Sequence, residues 1–81
     1  MTRVSARNDH GRRLQALGAA VRSRRKALQI SQESLAPLSG IDRSHMGRIE
    51  RGERNVTLLN LLRIADALDC QPSTLLATAG M

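Results

Sequence analysis

The 81-residue sequence contains no Phe, Tyr or Trp, and this absence excludes several kinds of binding site. Single-stranded nucleic-acid platforms and RNA-recognition sheets stack bases on aromatic rings, and cation cages need the same rings. The one cysteine, Cys70, has no partner for an internal disulfide, which fits a reducing compartment and a small buried side chain. No Cys/His cluster has the spacing of a metal site, so we expect neither a metal nor a cofactor.

Long apolar runs are also missing. The longest wholly apolar run is four residues or fewer, whereas about 20 apolar residues are needed to span a bilayer. No apolar segment with a cleavage site follows the basic N-terminus. We therefore expect a soluble, cytoplasmic protein with no membrane partner and no small-molecule ligand. The HExxH and GxSxG motifs and Gly-rich phosphate loops are absent as well, which argues against an enzyme.

The apolar residues that are present are aliphatic. They make up 41% of the chain and include 12 Leu and 10 Ala, which favour helices over strands. A chain of this length forms one domain at most. The composition therefore predicts an all-α fold with a single core.

Positive charge is concentrated at the N-terminus. Of the net charge of +6, residues 1–28 carry +7 (eight basic residues, one acid) and residues 29–81 carry −1 (five basic, six acidic). Such a segment is typical of a polyanion contact, although a solvated basic tail is the alternative for residues 1–11. That stretch is polar and aperiodic, so we predict a disordered or weakly helical arm over 1–11 and a folded domain over 12–80.

Apolar periodicity and capping residues predict five short helices. They are helix 1 over about 12–28, helix 2 from the Ser31 cap to Ser39-Gly40, helix 3 from the Asp42 cap to Gly52, helix 4 from the Thr57 cap through Leu68, and helix 5 from Gln71-Pro72 through Leu76. Pro37 falls inside helix 2 and should strain its last turn. Because a Gly-containing turn of about four residues joins helices 2 and 3, residues 32–51 read as a helix-turn-helix.

The outward face of helix 3 carries the candidate base contacts. At about 100° per residue, Met46 and Ile49 point to the core, so the outward side carries Ser44, Gly47, Arg48 and Arg51, with Arg43 at the leading end of the helix. The candidates for base contact are Arg43, Ser44 and Arg48. In a major groove, Arg can bond bidentately to guanine and Ser can serve any base. We therefore predict these three residues as base-contacting, with an ordinary solvated helix face as the alternative.

Three other residues of helix 3 have different expected roles. His45 and Glu50 flank the buried stripe, so His45 is expected to be structural or close to a phosphate, and Glu50 to pair internally with Arg25 of helix 1. Gly47 costs about 1 kcal/mol relative to Ala in a helix interior. Either close approach to DNA or tight packing would explain it.

These motifs together resemble the phage-repressor/Cro (XRE) helix-turn-helix family over about residues 14–78. The resemblance is carried by residues 21–36, Ser39-Gly40, Ile49-Glu50-Arg51-Gly52, Arg54-Asn55, and Leu62-Arg63-Ile64-Ala65 with Ala67-Leu68. It implies a compact lambda-repressor-like bundle of five short helices that binds palindromic operators, usually as a dimer. Within the family, residues 42–45, 50–51 and 54–57 are similar to the controller proteins of restriction–modification systems.

The resemblance also implies roles for single residues. Gln32 would contact the DNA backbone and support helix 3, and Arg25 with Glu50 would form an internal salt bridge. In the controller proteins, the positions of Arg43, Ser44 and His45 lie at the groove. The full predicted set of backbone or groove-flanking residues is Ser31, Gln32, His45, Arg51, Arg54, Asn55 and Thr57.

The sequence thus predicts a sequence-specific double-stranded DNA-binding transcriptional regulator that acts as a homodimer. The expected dimer interface is the apolar C-terminus, Leu75, Leu76, Ala79 and Met81, which could instead close the monomer core. The main alternative is a protein-interaction module, such as an antitoxin or coactivator partner, with DNA binding secondary. A third interpretation is a membrane-surface helix over 12–28, but this segment lacks the aromatic anchors typical of such helices.

Overall fold

A computed structural model describes the backbone of residues 3–81 and the side chains of residues 10–81. It contains five helices: α1 (Arg3–Ala27), α2 (Gln32–Ser39), α3 (Arg43–Glu50), α4 (Leu58–Ala67) and α5 (Pro72–Thr78). The described residues contain no strand. The predicted all-α five-helix bundle is therefore confirmed. None of these helices combines the length and apolarity that crossing a membrane would require.

Helix α1 begins well before the predicted start at residue 12, since its backbone is already helical at Arg3. Apolar periodicity starts only at Leu14, so the sequence held no signal for the earlier turns. The part of the predicted arm formed by residues 1–2 lies outside the described residues. At the other end, Gln29 adopts a left-handed conformation (φ +59°) and the N–H of Ile30 bonds back to the carbonyl of Arg25 at 3.0 Å.

The predicted N-caps of helices α2, α3 and α4 are confirmed. Each cap side chain accepts a hydrogen bond from a backbone N–H of the first turn, which satisfies one of the donors that a helix leaves unpaired. The bonds are 3.1 Å long and join Ser31 to Ser34, Asp42 to Ser44, and Thr57 to Asn60. Local sequence therefore fixes where these three helices begin.

The turn between α2 and α3 is formed by residues 40–42, one fewer than predicted, because Ser39 belongs to α2. Gly40 has φ +70°, and the N–H of Ile41 reaches the carbonyl of Ala36 at 3.0 Å, as in a glycine-terminated helix. Helix α2 continues through Pro37, and the buried Ser39 hydroxyl donates to the carbonyl of Leu35 at 2.8 Å. This short turn holds α2 and α3 in the helix-turn-helix arrangement.

All five helices contribute to one core. The largest fully buried side chains are Val21, Leu35, Met46, Ile49, Ile64, Leu68 and Leu75. Helix α1 packs against α3 and α5, and α2 packs against α3 and α4. Met46 and Ile49 lie on the inward side of α3, as the helical wheel predicted, so the opposite side of that helix faces solvent.

Two glycines bring α1 against the end of α3. A Cβ added at Gly18 would collide with the carbonyl oxygens of Ile49 and Glu50. Gly52 has φ +75° and lies so close to Gln15 that an added Cβ would be 2.6 Å from its Cα. These contacts clamp α1 to the C-terminal end of α3 and thereby fix the direction of its outward face.

Most of the C-terminal apolar residues close the monomer core, which was the alternative to the dimer interface predicted for them. Leu75 is 1% exposed and belongs to the core, and Leu76 and Ala79 pack partly against it. Of the four residues expected at the dimer interface, Met81 alone is half exposed. The reason is that α5 folds back on α1 and α4, so its apolar side closes the bundle. The most exposed leucines are Leu38, Leu58 and Leu59, at 64%, 71% and 55%.

Candidate nucleic-acid interface

The outward side of α3 is lined by exposed basic side chains. Arg43 and Arg48 are exposed, and neither makes a side-chain hydrogen bond to another of the described side chains. Because guanidinium groups carry donors in a rigid fork, two such groups on one helix face can bind guanine edges or phosphates. The structure therefore places both residues where the sequence predicted them.

Ser44 also binds the capping residue Asp42 at the start of α3. Its hydroxyl donates to Oδ2 of Asp42 at 2.5 Å, and its backbone N–H donates to the same atom at 3.1 Å. The hydrogen bond from the Ser44 side chain, with backbone bonds from His45 and Ser44, lowers the pKa of Asp42. Since the proton of Ser44 is directed to Asp42, its oxygen is left to accept from a base, such as the amino group of adenine or cytosine.

His45 lies at the edge of the core. It is half-buried, and its Nε2 is shielded from solvent without a hydrogen-bond partner among the described residues. The side chain therefore lies beside the outward face, in line with its expected structural or flanking role.

A buried network joins α1, α2 and α3 behind this face. Arg25 donates to Glu50 through Nε at 2.7 Å and Nη2 at 2.9 Å, and through Nη1 to the carbonyl of Ile30 at 3.0 Å. Gln32 donates from Nε2 to the same carboxylate at 3.1 Å. Hydrogen bonding to Glu50 raises the pKa of Arg25, although burial opposes this. The two residues paired by the helical wheel thus lie together, and they anchor the start of α2 to α3.

Further residues that are predicted to contact DNA lie around α3. Ser31 and Thr57 are the exposed caps of α2 and α4, Gln32 is half-buried, and Arg54 and Asn55 are exposed in the loop between α3 and α4. The N-termini of α2 and α4 also present backbone N–H groups and the positive ends of helix dipoles, which favour phosphate.

Sequence reasoning missed two interactions of arginines. Arg51 forms a two-point ion pair with Glu53, with Nε–Oε2 at 3.0 Å and Nη2–Oε1 at 3.2 Å. The pair raises the pKa of Arg51 and lowers that of Glu53. Arg24 donates to the carbonyls of Leu68 and Asp69 at 3.1 Å and ties α1 to the end of α4. A spacing of two residues hinted at the first interaction, whereas no local signal pointed to the second.

Comparison with known proteins decides the family. The helix-turn-helix family model matches residues 21–75, which include α2 and α3 entirely. The chain belongs to the helix-turn-helix family. This helix-turn-helix protein is 45% identical over 65 residues to control protein C.SmaI of Serratia marcescens, covering 80% of the chain and 77% of the relative. It is 37% identical over 62 residues to repressor protein C2 of Salmonella phage P22, covering 76% of the chain and 29% of that repressor.

A solved structure supports the same conclusion. The restriction-modification controller protein C.AhdI from Aeromonas hydrophila is 52% identical and superimposes with a TM-score of 0.75, covering 76% of this chain and 94% of that one. The resemblance to XRE-type regulators and to controller proteins is therefore confirmed. The helix-turn-helix protein is a DNA-binding transcriptional regulator.

Proposed function

We propose that this helix-turn-helix protein is a cytoplasmic, non-catalytic regulator that inserts α3 into the major groove of a palindromic operator as a homodimer. The observation that carries the proposal is that Arg43 and Arg48 are exposed and have no partner among the described side chains, on a helix whose other side is fixed to the core. Such a rigid helix needs no reordering before it binds. The similarity to C.SmaI and C.AhdI supports a narrower role as a controller of restriction–modification genes.

Base reading and backbone binding are assigned to different residues. Arg43 and Arg48 read guanine edges, and Ser44 accepts a hydrogen bond from a base amino group. Backbone phosphates are bound by the N-termini of α2 and α4 and by polar and basic groups around them, with His45 beside the groove edge. The residues of this second set are Ser31, Gln32, Arg51, Arg54, Asn55 and Thr57.

Dimerisation follows from the size of the site. One short α3 spans only a few base pairs, so two copies on half-sites about 34–36 Å apart give a usable operator. Exposed apolar side chains for this contact lie on one side of α4, at Leu58, Leu59 and Leu62. Met81, the exposed member of the set predicted from the sequence, adds apolar surface to the proposed interface.

The division of roles is tested by comparing Arg48→Ala with Arg54→Ala. We expect Arg48→Ala to cost about 1–3 kcal/mol on a selected operator and to relax the choice at one base position. Arg54→Ala should weaken binding to all duplexes and reduce the salt slope by about 1. Anisotropy titrations of a selected and a random duplex at several salt concentrations measure both. Arg63→Ala on α4 serves as the charge-matched control.

If Arg48→Ala weakened binding to the random duplex as much as to the selected one, as Arg54→Ala is expected to do, the assignment would be contradicted. The exposed Leu38 and Leu58 also favour a second candidate, a protein-interaction module with DNA binding secondary. The same titrations decide between them, because a regulator must bind random duplex with strong salt dependence, whereas a purely protein-binding module shows none.

A further inference from the structure

Arg51 is held in place although it lies on the surface. It is the C-cap residue of α3, and its Nε and Nη2 both donate to the carboxylate of Glu53. Both side chains are more than half exposed, so this pair contributes little to folding. The arrangement leaves Nη1 and the outer hydrogen of Nη2 without a partner among the described residues.

Gly47 explains where the unpaired end of the guanidinium lies. A Cβ built on Gly47 would be 3.2 Å from Nη1 of Arg51 and 3.4 Å from Oε1 of Gln32. The helical wheel placed Gly47 on the outward side of α3, but Gly47 is buried because these two side chains cover it, one turn before the end of α3. Gln32 is fixed in turn because its Nε2 donates to Glu50. The guanidinium of Arg51 therefore lies in a defined place, over Gly47 and beside Gln32.

We propose that Glu53 is a positioning residue that holds Arg51 over Gly47, so that the unpaired edge of its guanidinium binds one backbone phosphate of the operator. This inference rests on the proposed function. A long side chain that is already ordered loses less conformational freedom on binding. The phosphate is then bound at a fixed place relative to α3. The absence of a side chain at Gly47 leaves room for the guanidinium of Arg51.

The positioning role of Glu53 and its negative charge predict opposite changes in operator affinity when Glu53 is replaced. Glu53 is an acid beside DNA, so its removal should strengthen binding to random duplex, which depends on net electrostatics. Binding to a selected operator should weaken, because Arg51 is no longer held. We expect Glu53→Gln to lower operator affinity about threefold to fivefold, the range in which exposed ion pairs act, while affinity for random duplex rises.

Glu33→Gln is the matched control for this experiment. Glu33 is exposed in the first turn of α2, and the same change of carboxylate to amide should raise both affinities. If Glu53→Gln also raised both affinities, Glu53 would be an ordinary surface charge and the inference would be overturned.

Gly47→Ala tests whether the position of Arg51 depends on the missing side chain at Gly47. Alanine is the better helix former, so the melting temperature should stay the same or rise. Operator affinity should nevertheless fall about threefold or more, because the methyl group displaces the guanidinium of Arg51. Unchanged operator affinity in a folded Gly47→Ala protein would contradict the proposal.

Hydrogen exchange in the DNA-free protein tests the positioning role of Glu53 separately from the proposed function. The Nε–H resonance of Arg51 should exchange more slowly with water than that of Arg48, and Glu53→Gln should abolish the difference. Equal exchange in the parent protein would overturn the positioning role whatever DNA does. A parent that binds no duplex would overturn the proposed function together with this inference, whereas normal binding with a control-like Glu53→Gln overturns the inference alone.

Discussion

Replacing Glu50 by alanine should remove much of the stability of this domain. The carboxylate accepts hydrogen bonds from Arg25 at 2.7 and 2.9 Å and from Gln32 at 3.1 Å. The side chains of Arg25 and Glu50 are only 11% and 3% exposed. Among the described residues, Glu50→Ala leaves the charge of Arg25 with the carbonyl of Ile30 as its one remaining partner.

The size of the effect follows from this burial. Removing one partner of a buried ion pair costs about 3–5 kcal/mol, whereas small domains have only about 5–15 kcal/mol in total. We therefore expect Glu50→Ala to lower the free energy of unfolding by about 3–5 kcal/mol. Operator binding should fall as well, because Gln32 and the start of α2 lose their anchor on α3.

Urea unfolding followed by helical circular dichroism measures the loss, since the chain has no Trp or Tyr for fluorescence. Arg48→Ala, which changes an exposed residue on the same helix, should stay within about 0.5 kcal/mol of the parent. The double variant Arg25→Met, Glu50→Leu removes both charges and should recover much of the stability. A Glu50→Ala protein within about 1 kcal/mol of the parent would refute this account of the network.

Three further predictions concern packing, pH and assembly. Gly18→Ala should lower the melting temperature, because its methyl group meets the carbonyl of Glu50 and overpacking costs about 1–3 kcal/mol; a parent-like melting temperature would contradict the close packing of α1. Because the pKa of Asp42 is lowered in the fold, its stabilisation is complete above the unfolded value of about 3.9 and is lost as pH falls through the lower folded value. Ser44→Ala should therefore move that loss to higher pH in a circular dichroism titration, and an unmoved acid limb would exclude the hydrogen bond as its cause. Leu62→Glu should give a folded monomer in sedimentation, whereas a persistent dimer would rule out the α4 interface.

Local signals account for the parts of the fold that the sequence predicted. Ser31, Asp42 and Thr57 cap their helices through bonds to residues two or three positions away, so a short window of sequence contains the whole interaction. The early start of α1 at Arg3 could not be found in this way. Its first turns precede the apolar stripe that begins at Leu14, and a polar helix leaves no periodic pattern.

The sequence predicted those features of the site that depend on one helix alone. The inward positions of Met46 and Ile49 fixed the outward side of α3 from its own periodicity. The burial of Leu75 depends instead on how α5 packs against α1 and α4, which no local pattern encodes. The two alternatives for the C-terminal apolar residues stayed open for this reason, because the sequence of α5 alone cannot show that α1 and α4 cover it.

Selection of bound fragments from a random duplex pool tests the central claim, sequence-specific binding through the outward face of α3, most directly. The parent protein should enrich a two-fold symmetric site whose half-sites lie about 34–36 Å apart, one turn of DNA. The Arg43→Ala, Arg48→Ala double variant, with its core untouched, should enrich no such site while still retaining random duplex at low salt. Enrichment of the same site by parent and double variant, or of no site by the parent, would contradict the account.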